Sequence, residues 1–272
     1  MKINDRMITS FFYDGDCMKL SEEWYFTSSQ LAVDYGRNIF SIPLLGRNEK
    51  KNMLYVLRAI HHALECFSPL NENLLRCLFP QYDHVLREMQ VDVIMGLPDC
   101  YEAVTQFREE KAVILLDVSN IARDVGYKAT ELVLKGLLSR EFCHLLLYDR
   151  DSGLKELEKD YRKRLDKGTF VEGFSELFSY LGIELNDIEW KTVRLKGLQE
   201  QCKNLMRKAI DATERKEQEN YLEEAFSGVY SNRFGNTCGM MYFAEQWEAE
   251  GTEGLMRTLS EGWKGFAAKA SR

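Results

Sequence analysis

The spacing of apolar positions changes part-way along this chain. Two short runs near the start, at 7–13 and 24–27, are rich in aromatic and apolar residues and read as brief strands. Residues 48–67 show helical spacing and are stopped by Ser68-Pro69. Residues 91–95, Val-Asp-Val-Ile-Met, alternate and end at Gly96-Leu97-Pro98, a strand followed by a turn. Residues 112–118 form a nearly continuous apolar run, a second strand. Helical spacing then takes over. It predicts a long helix over 128–148, a charged helix over 154–165 and a short amphipathic helix over 170–181. A long stretch rich in Lys, Arg, Glu and Gln follows over 193–226, then helices over 237–249 and 252–268. Strands early and helices late describe an α+β fold rather than alternating βαβ units. With no repeat, low-complexity tract or linker, 1–272 reads as one domain, with approximate lobes at 1–127 and 128–272.

Some polar residues interrupt this pattern. At about 100° per residue, Arg140 and His144 lie roughly 40° apart on the 128–148 helix. They share a sector with Ala129, Val133, Leu137 and Leu147, while Lys128, Glu131, Lys135 and Ser139 cluster opposite. A cation in an apolar stripe requires a carboxylate partner. Two uses fit: an ion pair that fixes two helices beside a core histidine, or an internal site. Glu172 and Glu176, one turn apart on the 170–181 helix, share their sector with Ser175 and Ser179. Phe170, Phe174, Leu177, Phe178 and Leu181 lie opposite, so the glutamates read as a solvated face. Gly235 and Gly239 stand four apart at a helix start, which suits close packing or the approach of a ligand.

Residues 139–144, Ser-Arg-Glu-Phe-Cys-His, match the zinc-protease pattern His-Glu-x-x-His at all but one position. His144 holds the second histidine position and Glu141 that of the general base. Arg140 replaces the first histidine, and a guanidinium has no lone pair to give a metal. Behind it come Glu172-Gly173-Phe174-Ser175-Glu176 and then Phe234-Gly235-x-x-x-Gly239. In this order the pieces resemble the YjaZ-like family of predicted zinc-dependent proteases, a bacterial group, over about residues 90–250. The resemblance implies a zincin-like fold, with a small sheet over the motif helix and a mostly helical C-terminal half. It implies His144 as a metal ligand, Glu141 as base, and Glu172, with Glu176 near it, as the carboxylate ligand. Gly235 and Gly239 would line the cleft.

Three functions follow. The first is a zincin-fold protein whose metal site has degenerated, with Arg140 in the metal's place beside Glu172, Glu176 or Glu141. It would need no cofactor, would be impaired in catalysis and would act by binding or regulation, with a peptide or protein as its partner. The second is an active zinc metallopeptidase using His144, Glu172 and an unconventional third ligand. The third is an unrelated helical interaction protein.

Composition narrows the partners. The 272 residues carry a net charge of −7, which gives no general attraction to a nucleic-acid backbone. Seven cysteines, an odd number with no C-x-x-C pair, suit free thiols in a reducing, cytoplasmic setting. Residues 1–6 lead into no signal-like apolar run, and no window is apolar enough to predict a membrane span. His61 and His62 are adjacent on a helix and cannot chelate together, and His84 precedes the first clear strand. Cys143 points about 100° away from His144, which makes it a poor replacement ligand or nucleophile.

Overall fold

The computed structural model describes residues 1–14, 22–36, 39–43, 46–124, 130–227 and 233–272. Residues 128–129, which figure in the expectations above, and one of the seven cysteines, Cys17, lie outside them. In chain order the elements are β1 (Lys2–Asn4), α1 (Arg6–Asp14), α2 (Trp24–Thr27), α3 (Gln30–Tyr35), α4 (Arg47–Glu65), α5 (Glu72–Leu78) and α6 (Tyr82–Glu88). Then come β2 (Gln90–Ile94), β3 (Ala103–Arg108), β4 (Lys111–Asp117), α7 (Val118–Asp124), α8 (Thr130–Arg150) and α9 (Tyr161–Leu177). The chain continues through α10 (Val193–Asp211), α11 (Arg215–Phe226), α12 (Phe234–Glu250), α13 (Thr252–Glu261) and α14 (Phe266–Ala270). This is an α+β protein with one small mixed sheet. None of the described helices is long and apolar enough to cross a membrane.

The chain divides into two compact units, Met1–Pro69 with Asp83–Leu145, and Leu70–Tyr82 with Leu146–Arg272. The first unit holds the sheet, in strand order β1-β2-β4-β3. β1, β2 and β4 are parallel, with Ile3 opposite Val91 and Val91 opposite Ile114. β3 runs antiparallel to β4, with Thr105 opposite Ile114. The inner strands are buried on both faces, which explains why 112–116 is a continuous apolar run rather than an alternating one. A two-residue turn joins β3 to β4, and both its residues, Glu109 and Glu110, have positive φ (47° and 66°). α4 buries Met53, Val56, Ile60 and Leu64, one stripe at helical spacing.

Several early expectations are corrected here. Residues 7–13 are helical, not a strand. Met7, Ile8 and Phe11 are buried, and α1 packs on β2. Their aromatic character suited a strand, but the burial follows a helical face. Residues 24–27 form one helical turn that buries Tyr25 and Phe26. β3 went unpredicted because Ala-Val-Thr-Gln-Phe-Arg mixes polar and apolar residues without a clean alternation.

In the second unit, the charged helix expected over 154–165 is mostly absent. A short 3-10 turn covers Ser152–Leu154, and α9 starts only at 161, where the Asp160 carboxylate accepts from the Lys163 amide at 3.0 Å. α9 thus joins the end of that segment to the expected 170–181 helix, and stops at Leu177. The 193–226 stretch breaks at the buried, extended Ala212 into α10 and α11. The 252–268 stretch is interrupted between Gly262 and Gly265, both with positive φ.

α9 and α12 form the tightest packing of this unit. A Cβ on Gly173 would stand 2.5 Å from the backbone of Gly239, and one on Gly239 would strike the Thr169 carbonyl. The Phe226 ring is wedged against both Gly168 and Gly235. Phe79, Phe170, Phe174, Phe178, Phe243 and Phe266 build the aromatic core in mostly edge-on contacts with ring centroids 4.8–5.7 Å apart. The 70–82 segment is tied in at Asn71, whose amide donates to Glu184 (2.7 Å) and whose side chain accepts from the Leu185 amide (2.9 Å).

Candidate functional site

α8 is amphipathic only in its first half. Glu131 and Lys135 are exposed, whereas every residue from 141 to 147 is buried, so the helix is enclosed on all sides there. Ser139, expected on the polar face, is fully buried for the same reason. The motif residues therefore sit where a charge has almost no water.

Glu141 is 1% exposed and His144 5% exposed. His144 Nδ1 lies 3.4 Å from Glu141 Oε2, one turn along the helix. Thr105 Oγ1, on β3, donates to that same Oε2 at 2.8 Å. Arg140 Nη1 lies 3.6 Å from Oε1, with the arginine side chain 15% exposed. One carboxylate is thus held by a guanidinium, an imidazole and a hydroxyl. Burial alone would raise the Glu141 carboxyl. The charge and hydrogen bond of His144, then Arg140 and Thr105, outweigh that and bring it down to about 2. The Phe67 ring meets Phe142 edge-on at 5.6 Å between centroids, which fixes this stretch of helix against the end of α4.

Thr105 is the residue that sequence reasoning missed. A threonine in a strand is ordinary, and the strand itself was not foreseen. The only available signal was its place on a short segment ending in Phe-Arg just before the charged turn Glu109-Glu110. The Thr105 bond shows that α8 lies against β3, the antiparallel strand at the end of the sheet.

Cys143 is fully buried, and burial, then Glu141, push its thiol well above the ordinary range, which disfavours the thiolate. Glu141 stands at His144 Nδ1, where a carboxylate orients an imidazole in acyl-transfer enzymes. His61 Nε2 lies 3.2 Å from Asp5 in a half-exposed pair, and His62 and His84 are exposed.

Glu172 and Glu176 belong to the second unit, on α9. Their expected solvated face is corrected: Glu176 is 4% exposed, Ser175 is fully buried, and Ser175 and Ser179 hydroxyls bond back to helix carbonyls. Glu172 is partly exposed. α9 and α12 touch backbone to backbone at Gly173 and Gly239. Gly235 and Gly239 are both buried, and their contacts with Phe226 and α9 account for them as packing positions.

Among the described residues, no three His, Cys, Asp or Glu side chains gather as a metal ion would need. The motif residues also do not suit zinc in their own right. The first ligand position is a cation, and Oε2 of the base position accepts from Thr105 and lies against His144.

No family model matches the chain, and neither does any curated protein or solved structure.

Proposed function

We propose that this is a zincin-like protein of the predicted zinc-dependent protease family in which the metal site has degenerated, and that it acts by binding a peptide or protein. The observation that carries this reading is Arg140 beside Glu141. A working site would turn the glutamate toward a metal-bound water and keep its proton affinity near the working pH. Here a fixed guanidinium takes the place of a metal's positive charge. The carboxyl sits at about 2, far below a general base's useful range. The edge strand lying against the motif helix through Thr105 agrees with the sheet-over-helix arrangement that the resemblance implies.

Calorimetric zinc titration near neutral pH tests the proposal. The wild type takes up no stoichiometric zinc. Arg140→His places two imidazoles one turn apart on a single helical face and binds zinc more tightly than the wild type. About one equivalent of tightly held zinc in the wild type would favour the metallopeptidase reading instead. An Arg140→His variant that folds but binds no better would favour an interaction protein unrelated to zincins.

A further inference from the structure

The first unit contains a cavity of about 750 Å³ that has no part in the motif. Its size falls in the range of small-molecule sites. It lies beyond the carboxyl ends of β2 and β4, where open parallel sheets place ligands. Four segments wall it: 39–43, the first turns of α4, the 97–99 loop and one face of α7.

The walls are fixed by buried polar groups. Asp117, fully buried, accepts from the Leu97 amide (2.7 Å), the Ser119 amide (2.8 Å) and hydroxyl (2.5 Å), and the Asn120 amide (2.9 Å). The Asn120 side-chain nitrogen lies 3.3, 3.1 and 2.8 Å from the carbonyls of Leu97, Pro98 and Tyr101. The Ser41 amide donates to the Gly96 carbonyl at 3.0 Å. The loop after β2, the start of α7 and the 39–43 wall are therefore set before any ligand arrives.

The lining states the chemistry. Ile39, Met53, Leu97 and Ala122 supply apolar surface. Glu49 and Asp99 supply two carboxylates, against one cation, Arg123, which donates to Asp99 at 2.8 Å. The first amides of α7 are occupied by Asp117, so they are not offered to an anion. An acidic ligand would meet excess negative charge. We propose that this cavity binds a small organic amine, with its hydrocarbon body on Met53 and Leu97 and its ammonium group toward Glu49 and Asp99.

The test compares two probes of similar size and opposite charge, tryptamine and indole-3-propionate, by protein-observed NMR titration of the full chain. Tryptamine gives saturable shifts, at least about tenfold stronger in affinity than the acid. Glu49→Gln keeps the side-chain oxygen that accepts from the Gly46 amide but removes the charge, and weakens tryptamine several-fold. Ala122→Trp fills the cavity and abolishes binding. Thermal unfolding of both variants confirms that they are folded, and Glu49→Gln alone decides the matter if Ala122→Trp does not fold. The proposal is overturned by any of three results: no saturable binding of tryptamine up to about 5 mM, equal binding of the acid, or tryptamine binding unchanged by Glu49→Gln. None of these results would alter the outcome of the zinc titrations.

Discussion

Glu141 keeps its negative charge in a place that water does not reach. Its carboxyl is 1% exposed and lies at about 2 rather than the ordinary 4.5, through His144, Arg140 and Thr105. A carboxyl lowered on folding contributes stability that is complete above its unfolded value and is lost as pH falls toward its folded one. The wild type should therefore lose stability progressively between about pH 4.5 and 2 on this account. Glu141→Gln should be less stable at neutral pH, because Arg140 and His144 lose a neighbouring buried negative charge. It should also lack this part of the acid slope. Urea unfolding at a series of pH values measures both effects, and parallel acid slopes for the two proteins would contradict the assignment. Much of this cluster was legible in advance. Arg140 and His144 stand out as polar residues in an apolar stripe, and a carboxylate partner was required on energetic grounds. Glu141 was among the three carboxylates named for Arg140, and Thr105 was invisible because its strand was.

α9 and α12 show how a helix face can mislead. Glutamates and serines on one side and phenylalanines on the other gave the pattern of a surface helix, yet Ser175 and Glu176 are buried. Spacing reports which residues share a face, but not what packs against that face. Small residues on both helices, Gly173 and Gly239, let the two backbones touch. Gly239→Ala should push the helices apart and destabilise the protein by about 1–3 kcal/mol, as overpacking does. Gly197→Ala, on α10 with nothing near its Cβ position, should be neutral or slightly stabilising by helix propensity. Denaturant midpoints of the two variants make the comparison, and equal midpoints would argue against close backbone packing. Elements with one strong signal, such as α4 and β4, were foreseen nearly to the residue. Those whose ends depend on capping, such as the start of α9 at Asp160, were not.

At the scale of the whole chain, the two units are interleaved in sequence. The chain passes from one to the other at 69/70, 82/83 and 145/146. The second unit borrows the 70–82 segment, which supplies Phe79 to the ring of Phe174 and exchanges two hydrogen bonds with Glu184 and Leu185. Nothing in the composition of 70–82 announces this membership, since only long-range contacts assign it. A fragment of residues 146–272 should therefore melt with little cooperativity. Adding a peptide of residues 70–82 should sharpen the transition and raise its midpoint in a concentration-dependent way. Circular dichroism melts test this, and a fragment that unfolds sharply without the peptide would show that the segment is dispensable.

The turn between β3 and β4 has a consequence for the order of folding. Tight hairpins of this kind start readily when Asn-Gly occupies the two positions of positive φ. Glu109 and Glu110 are disfavoured there, and their like charges are adjacent. The hairpin thus lacks a favourable local nucleus, and β3 should join only after β4 stands in the sheet. Thr105→Val should then speed unfolding and leave the refolding rate nearly unchanged, and a variant that slowed refolding instead would contradict this order.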